Sequence, residues 1–193
     1  RLFWPFIAPY IDTMYKRDKK DLFVNLKHTC DLVDHFGHSC EEHIVFTADG
    51  QLLTLFKVPP KEPSGRPPVL LLHGAMLSSD IWLIHREEHK NLPLFLAANG
   101  YEVWLGNRRG NKYCGKHKSF KTRNTDFWDW SLDEVALFDL PAMVDKVLSQ
   151  HARGMRCIVI GFSQGSAELM ASLSLLPELN DKIGLAVGLA AMT

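Results

Sequence analysis

Hydrophobic residues recur along the chain in two patterns that predict the order of its strands. Two β-prone runs, residues 43–47 and 52–58, flank the Asp-Gly pair at 49–50, which is typical of a hairpin because the tight turn requires positive φ. Continuous apolar runs follow at 69–72 and 157–160. Short runs of this kind, bounded by turn residues, are typical of strands that are buried on both faces.

Helical patterns separate these runs. They cover residues 21–38, 91–99 with Gly100 as the stop, a segment opened by the capping box Ser131-Leu132-Asp133-Glu134, and 166–176. Pro141 predicts either a kink in the third helix or the start of a second one. A last strand-like run occupies 183–191. Strands that alternate with helices predict an α/β fold with a mostly parallel sheet and an antiparallel N-terminal hairpin.

Composition and charge exclude several classes of function. Lys plus Arg and Asp plus Glu number 22 each, so the chain has no net field that would favour nucleic acid. The basic stretch 112–123 is either a solvated loop or a surface for anionic lipid headgroups. The four cysteines have no CxxC or zinc spacing, so we expect free thiols in a reducing compartment and no metal or cofactor.

The first residues are apolar and are followed by a basic cluster. Residues 2–11 contain two prolines and are far shorter than the ~20 residues that a membrane helix needs. They are open to two interpretations, the end of a membrane segment with the rest of the chain on the cytoplasmic side, or an amphipathic arm packed on the domain. Residues 1–20 are therefore a possible membrane-proximal arm.

The clearest chemical signal is Gly161-Phe162-Ser163-Gln164-Gly165, between an apolar strand and a helix. This order is the nucleophile elbow of an α/β-hydrolase, in which a sharp turn exposes the serine. His73-Gly74-Ala75 also ends an apolar strand. Oxyanion holes of this fold combine the amide after the nucleophile with one from the loop after the third strand, which predicts the backbone N–H groups of Gln164 and Ala75.

A serine also needs a base, and in this fold the acid and the histidine follow the nucleophile. The last of the nine histidines is His151, so neither the triad histidine nor an assigned acid is present after Ser163. We expect His73 to hold its loop through hydrogen bonds and Glu168 to be solvated. The sequence thus predicts an N-terminal part of a hydrolase, truncated after the nucleophile helix and the following strand, with no useful turnover on its own.

Taken in order, these motifs resemble the acid lipase family of lysosomal acid lipase, gastric lipase and the fungal steryl ester hydrolases and triglyceride lipases. The resemblance covers about residues 30–165 and rests on 34–50, 72–76, 103–111, 116–118, 127–142 and 161–165. It implies Ser163 as nucleophile, the Ala75 and Gln164 amides as oxyanion hole, and no cofactor. Phe162 resembles the fungal branch, whereas Arg108 stands where relatives often have a small polar residue.

The resemblance implies a lipid ester hydrolase that releases a fatty acid, with steryl esters as first and triacylglycerols as second expectation. It also implies an intracellular, membrane-associated protein at the endoplasmic reticulum or a lipid droplet, with the lipid ester as its partner. Residues 21–68 would form the lipase-associated N-terminal region and 69–193 the first half of the hydrolase domain. The alternatives are a non-catalytic lipid-binding or scaffold relative, and an esterase or thioesterase for soluble substrates.

Overall fold

The computed structural model describes residues 28–62 and 64–191, which form a mixed sheet with helices on both faces. The strands are β1 (Glu41–Phe46), β2 (Gln51–Val58), β3 (Val69–Leu72), β4 (Val103–Gly106), β5 (Lys116–His117), β6 (Cys157–Phe162) and β7 (Ile183–Leu189). Their order in the sheet is β1-β2-β4-β3-β6-β7, and β5 pairs with β2 outside that path.

The helices fall between the strands as the hydrophobic pattern predicts. They are α1 (Thr29–His35), α2 (Leu92–Ala98), α3 (Leu132–Glu134), α4 (Leu140–Leu148), α5 (Gln164–Leu175) and α6 (Leu179–Lys182). Short 3₁₀ turns occupy Ser79–Leu83, Glu88–Lys90 and Thr125–Trp128, and a π-helical stretch, Val135–Asp139, joins α3 to α4. The helix predicted over 21–38 is described only from Thr29 onward.

Strand directions confirm the predicted fold class. β1 and β2 form the antiparallel hairpin around the Asp49-Gly50 turn, and β2 also runs antiparallel to β4. β3 is parallel to both β4 and β6, and β6 is parallel to β7. Because parallel strands place their carboxyl ends at one edge of the sheet, the turns after β3, β4 and β6 meet there.

Alternate residues of the central strands supply two separate cores. Leu70 and Trp104 point to the face covered by α4 and α5, where they pack in a cluster with Val144 and Leu169. Their neighbours, such as Leu71, point to the opposite face and join a cluster with residues of α1 and α2. All four residues of β3 are buried, as its uninterrupted apolar run predicts.

Pro141 does not start a separate helix, because helical backbone runs without a break from Leu132 through the π-helical stretch Val135–Asp139 to Leu148. It occupies the first turn of α4, where its missing N–H is tolerated. The preceding π-helical stretch widens the helix, and the Leu140 N–H bonds to the Val135 carbonyl. The capping box at Ser131 and Glu134 opens the segment as predicted.

The expectation of four free thiols is wrong for two of them. Cys30 and Cys40 form a disulfide, with Cα atoms 5.3 Å apart, that ties α1 to the chain entering β1. Cys114 and Cys157 are free and buried, and burial raises their thiol pKa values to about 12 and about 11. The argument for a reducing compartment therefore loses its basis, because disulfides persist mainly in oxidising compartments.

The membrane-proximal arm, residues 1–20, lies outside the described residues, and the division at 21–68 and 69–193 stays a prediction. Within the described ranges, no helix is both long enough and apolar enough to cross a bilayer.

Candidate active site

Ser163 lies at the turn between the end of β6 and the start of α5. Its backbone has φ 53° and ψ −118°, a conformation that L-residues rarely adopt. Its N–H donates to the Leu189 carbonyl at 2.9 Å, which attaches the turn to the end of β7. The side chain is partly exposed at the edge of the sheet where the parallel strands end. The chain therefore makes a sharp strand-to-helix turn at the predicted position, and the role of Ser163 as nucleophile stays a prediction.

Two glycines make this turn possible because neighbouring backbone leaves no room for a Cβ atom. A Cβ on Gly161 would lie 2.6 Å from the Ser166 nitrogen, and a Cβ on Gly165 would lie 2.7 Å from the Leu72 oxygen. Real Cβ atoms essentially never approach closer than 3.0 Å. Gly161 therefore lets the end of β6 pack on the start of α5 within the elbow, and Gly165 lets the start of α5 pack on the backbone at the end of β3.

The turn after β3 places the predicted oxyanion residues beside the serine. An ideal Cβ built on Gly74 would lie 3.3 Å from the Ser163 Cβ, so the two turns are in contact. Ala75 is exposed at this edge, and Gln164 is the first residue of α5. Its N–H belongs to the first helical turn, where backbone donors lack intrahelical acceptors and the helix dipole favours negative charge.

His73 has the structural role that the sequence predicts. Its Nδ1 donates to the Gly74 carbonyl at 2.9 Å, and its Nε2 accepts from the Asn111 amide at 3.1 Å. Burial, together with the nearby charge of Arg108, lowers its pKa to about 4, although the hydrogen bond to Gly74 opposes this shift. The ring is therefore neutral at neutral pH, with both nitrogens engaged in holding the turn.

The expectation that Glu168 is solvated is wrong. Its side chain is only 3% exposed and forms an ion pair with Arg108, which is itself buried after β4. Burial raises the pKa of Glu168 to about 7, although Arg108 lowers it. Helical spacing could have revealed this position, since Glu168 lies three residues after Gly165 and four before Ser172, both of which are buried.

A second buried arginine lies beside the first and connects three parts of the fold. Arg109 Nε donates to Asp139 Oδ1 at 2.8 Å, and its Nη1 donates to Asp49 Oδ2, in the hairpin turn, at 2.7 Å. Its backbone N–H also donates to Asp139 at 2.9 Å. Burial opposes the charge of Arg109, but the two carboxylates raise its pKa overall. This network fixes the chain that follows β4.

A cleft of about 790 Å³ opens beside the elbow and contains both predicted oxyanion residues. Apolar side chains form part of its wall; they include Met76, Ile81, Ile84, Trp128 and Trp130. Met76 is fully exposed at a φ of 56°, next to Ala75. Among the described residues, no group of three His, Cys, Asp or Glu side chains could hold a metal ion.

The sheet, the elbow and the adjacent turn define an α/β-hydrolase. The family model for the alpha/beta hydrolase fold matches residues 67–191, and that for the partial alpha/beta-hydrolase lipase region matches 29–86. The chain therefore belongs to the α/β-hydrolase family and carries the N-terminal region associated with its lipases. This confirms the resemblance drawn from the motifs.

Individual relatives agree with this assignment. A probable lipase of Schizosaccharomyces pombe is 39% identical over 183 residues, covering 94% of this chain and 41% of the relative. Triacylglycerol lipase 2 of Arabidopsis thaliana is 36% identical over 146 residues, covering 72% and 34%. The chain thus spans less than half the length of either relative. The Pyrococcus furiosus esterase Pf2001 has a similar fold, with a TM-score of 0.59 and 21% identity over 82% of this chain and 51% of that structure.

Proposed function

We propose that the protein is a lipid ester hydrolase with Ser163 as its nucleophile. The observation that carries the proposal is the position of Ser163, at positive φ between β6 and α5 and in contact with the Gly74 turn. The names of the curated relatives support the reaction class, since they are lipases. Because these relatives are much longer than this chain, the proposed activity is that of a whole polypeptide that contains these residues.

In the proposed reaction, Ser163 Oγ attacks the carbonyl carbon of the ester while its proton passes to a base. The backbone N–H groups of Ala75 and Gln164 stabilise the charge that develops on the carbonyl oxygen. The tetrahedral intermediate collapses with loss of the alcohol, which takes a proton, and the acyl group remains on the serine. Water then cleaves this acyl-enzyme and releases a fatty acid.

The base is assigned to no residue of this chain. No histidine follows Ser163, and both ring nitrogens of His73 are engaged with Gly74 and Asn111. The isolated 193-residue chain is therefore expected to show no useful turnover. Near-native hydrolysis by that chain would contradict this part of the proposal.

For the substrate we propose steryl esters first and triacylglycerols second. The apolar wall of the cleft supports an acyl chain with a bulky hydrophobic alcohol. The name of the Arabidopsis relative, a triacylglycerol lipase, supports the second choice. We further propose that the protein acts at an intracellular membrane or lipid-droplet surface. Of these two places, the disulfide supports the membrane of the endoplasmic reticulum, on its oxidising lumenal side, over a lipid-droplet surface, which faces the cytoplasm.

The test uses the complete polypeptide and two variants, Ser163→Ala and the matched control Ser174→Ala, whose serine is exposed on the same helix. We expect a fluorophosphonate to label wild type and the control, and both to hydrolyse cholesteryl oleate or triolein. The Ser163→Ala variant should lose labelling and hydrolysis together. Hydrolysis that survives in Ser163→Ala would refute the nucleophile. Specific lipid binding with no hydrolysis by wild type would instead favour a non-catalytic lipid-binding protein.

A further inference from the structure

Arg108 and Glu168 form a buried ion pair at the base of the proposed oxyanion hole. Arg108 Nη1 donates to Glu168 Oε1, and the two side chains are only 9% and 3% exposed. Removing two charges from water is unfavourable unless their hydrogen bonds are well satisfied, so such a pair is weak evidence for stability alone. Its remaining contacts indicate what else it does.

The first of these contacts reaches the turn after β3. Arg108 Nη2 donates to the Gly74 carbonyl oxygen at 2.9 Å, and that oxygen also accepts from His73. The Gly74 C=O and the Ala75 N–H belong to the same planar peptide unit and point in opposite directions. A cation bound at the oxygen therefore fixes the direction of the Ala75 N–H and, by polarising the amide, makes it a stronger donor.

The second contact reaches the other proposed donor. Gln164 Nε2 donates to Glu168 Oε1 at 3.1 Å, one turn along α5. Gln164 is the first residue of that helix, directly after Ser163. One ion pair therefore connects the peptide unit of Ala75 to the residue whose backbone N–H would complete the oxyanion hole.

We propose that Arg108, held by Glu168, is a positioning residue that orients and polarises the Gly74–Ala75 peptide unit for transition-state stabilisation. This inference rests on the proposed esterase function. Arg108 acts through the peptide unit and is not itself a catalytic residue. Its contribution therefore belongs to the transition state, in which the carbonyl oxygen carries charge, and much less to the bound substrate.

The geometry also predicts how substitutions should rank. In Arg108→Met the Gly74 oxygen loses its cationic donor and Glu168 loses its counter-ion. In Arg108→Lys the cation is kept, but a single ammonium nitrogen on a shorter side chain replaces the planar fork and changes the geometry of both bonds. In Glu168→Gln the neutral amide oxygen still accepts from Arg108, so the guanidinium keeps an anchor. We expect the loss of activity to be largest for methionine, smaller for lysine and smallest for Glu168→Gln.

The experiment measures kcat, KM and inhibitor affinity for the complete polypeptide with a soluble ester, p-nitrophenyl butyrate. Since a misplacement of about 1 Å costs roughly 100-fold, we expect Arg108→Met to lower kcat by about 10- to 100-fold and to change KM by less than about threefold. A trifluoromethyl ketone, which forms a tetrahedral oxyanion on the serine, should lose affinity in proportion to kcat. The matched control is Lys57→Met, which removes a partly buried cation paired with Glu102. That pair lies beside the start of β4, at the opposite edge of the sheet from the site.

Three outcomes would overturn the inference. They are a kcat within twofold of wild type in Arg108→Met, a loss that appears equally in KM, and a trifluoromethyl ketone affinity that does not follow kcat. If Arg108→Met fails to fold, Arg108→Lys takes its place, and a kcat within twofold of wild type in that variant would likewise overturn the inference. Failure of the proposed function is recognised separately, because Ser163→Ala would then leave hydrolysis intact.

Discussion

Gly165 is the position at which a single methyl group should reveal how the site is held together. A Cβ at this residue would lie 2.7 Å from the Leu72 oxygen and 2.8 Å from the His73 oxygen, whereas ordinary contacts begin at 3.4 Å. Both oxygens belong to the backbone, so no flexible side chain can move aside. In Gly165→Ala the start of α5 and the end of β3 must therefore separate by about 0.7 Å to restore ordinary contact.

This separation should affect stability and catalysis together. Overpacking of a rigid interior costs about 1–3 kcal/mol, so we expect the free energy of unfolding to fall by that amount. The same movement would separate the amide of Gln164 from that of Ala75. Because a misplacement of about 1 Å can cost roughly 100-fold, a shift of about 0.7 Å should lower kcat on the order of tenfold.

Urea unfolding and ester hydrolysis of the complete polypeptide measure the two effects. The matched control is Gly115→Ala, because Gly115 is exposed, has no positive φ, and its new Cβ would lie 3.5 Å from its nearest neighbour, a Thr122 methyl group. We expect the control to stay within about 0.5 kcal/mol and near wild-type activity. Equal stability and activity in the two variants would show that the elbow does not depend on the contact between α5 and β3.

Three further predictions concern parts of the molecule around the site. In urea unfolding, Arg109→Met should lower the free energy of unfolding by about 3–5 kcal/mol, because it leaves two carboxylates without their cation. The control Lys182→Met, at an exposed ion pair with Asp145, should change the free energy of unfolding by less than about 1 kcal/mol. Under denaturing, non-reducing conditions, iodoacetamide should modify only the two free cysteines, and modification of Cys30 or Cys40 would contradict the disulfide. Burial raises the pKa of the Glu168 carboxyl group from 4.5 to about 7, so the folded state binds the carboxyl proton more tightly than the unfolded state does. The free energy of unfolding should therefore fall by up to about 3 kcal/mol as pH rises from 4.5 to 8. Glu168→Gln should lack this contribution, and parallel pH–stability curves for the two proteins would refute the prediction.

The parts of the fold that depend on local pattern could be predicted from the sequence. The hairpin follows from Asp49-Gly50 between two β-prone runs, and the buried strand β3 follows from four consecutive apolar residues. The sharp turn at Ser163 follows from its flanking glycines, because only residues without a side chain tolerate the backbone contacts found there.

What the sequence could not provide are the pairings between distant residues. Cys30 and Cys40 form a disulfide because α1 and β1 bring their Cα atoms to 5.3 Å, and cysteine spacing alone does not specify that distance. The ion pair of Arg108 and Glu168 joins residues 60 positions apart, which meet only when β4 and α5 pack on the same sheet. Charged residues are most often solvated, so a prediction of exposure from residue type alone is wrong where two opposite charges are buried together, as for Arg108 and Glu168.

The two consecutive arginines after β4 illustrate how one short turn can serve both the scaffold and the site. Arg109 binds Asp139 and the hairpin residue Asp49, so its contacts lie within the sheet and the helix that covers it. Arg108 binds Glu168 and the Gly74 carbonyl, so its contacts join the nucleophile helix to the oxyanion turn. Loss of Arg109 should therefore appear in the free energy of unfolding, whereas loss of Arg108, which also leaves a buried carboxyl group without its cation, should appear in kcat as well. Two adjacent residues of the same type would then differ in phenotype because their hydrogen-bond partners belong to different parts of the fold.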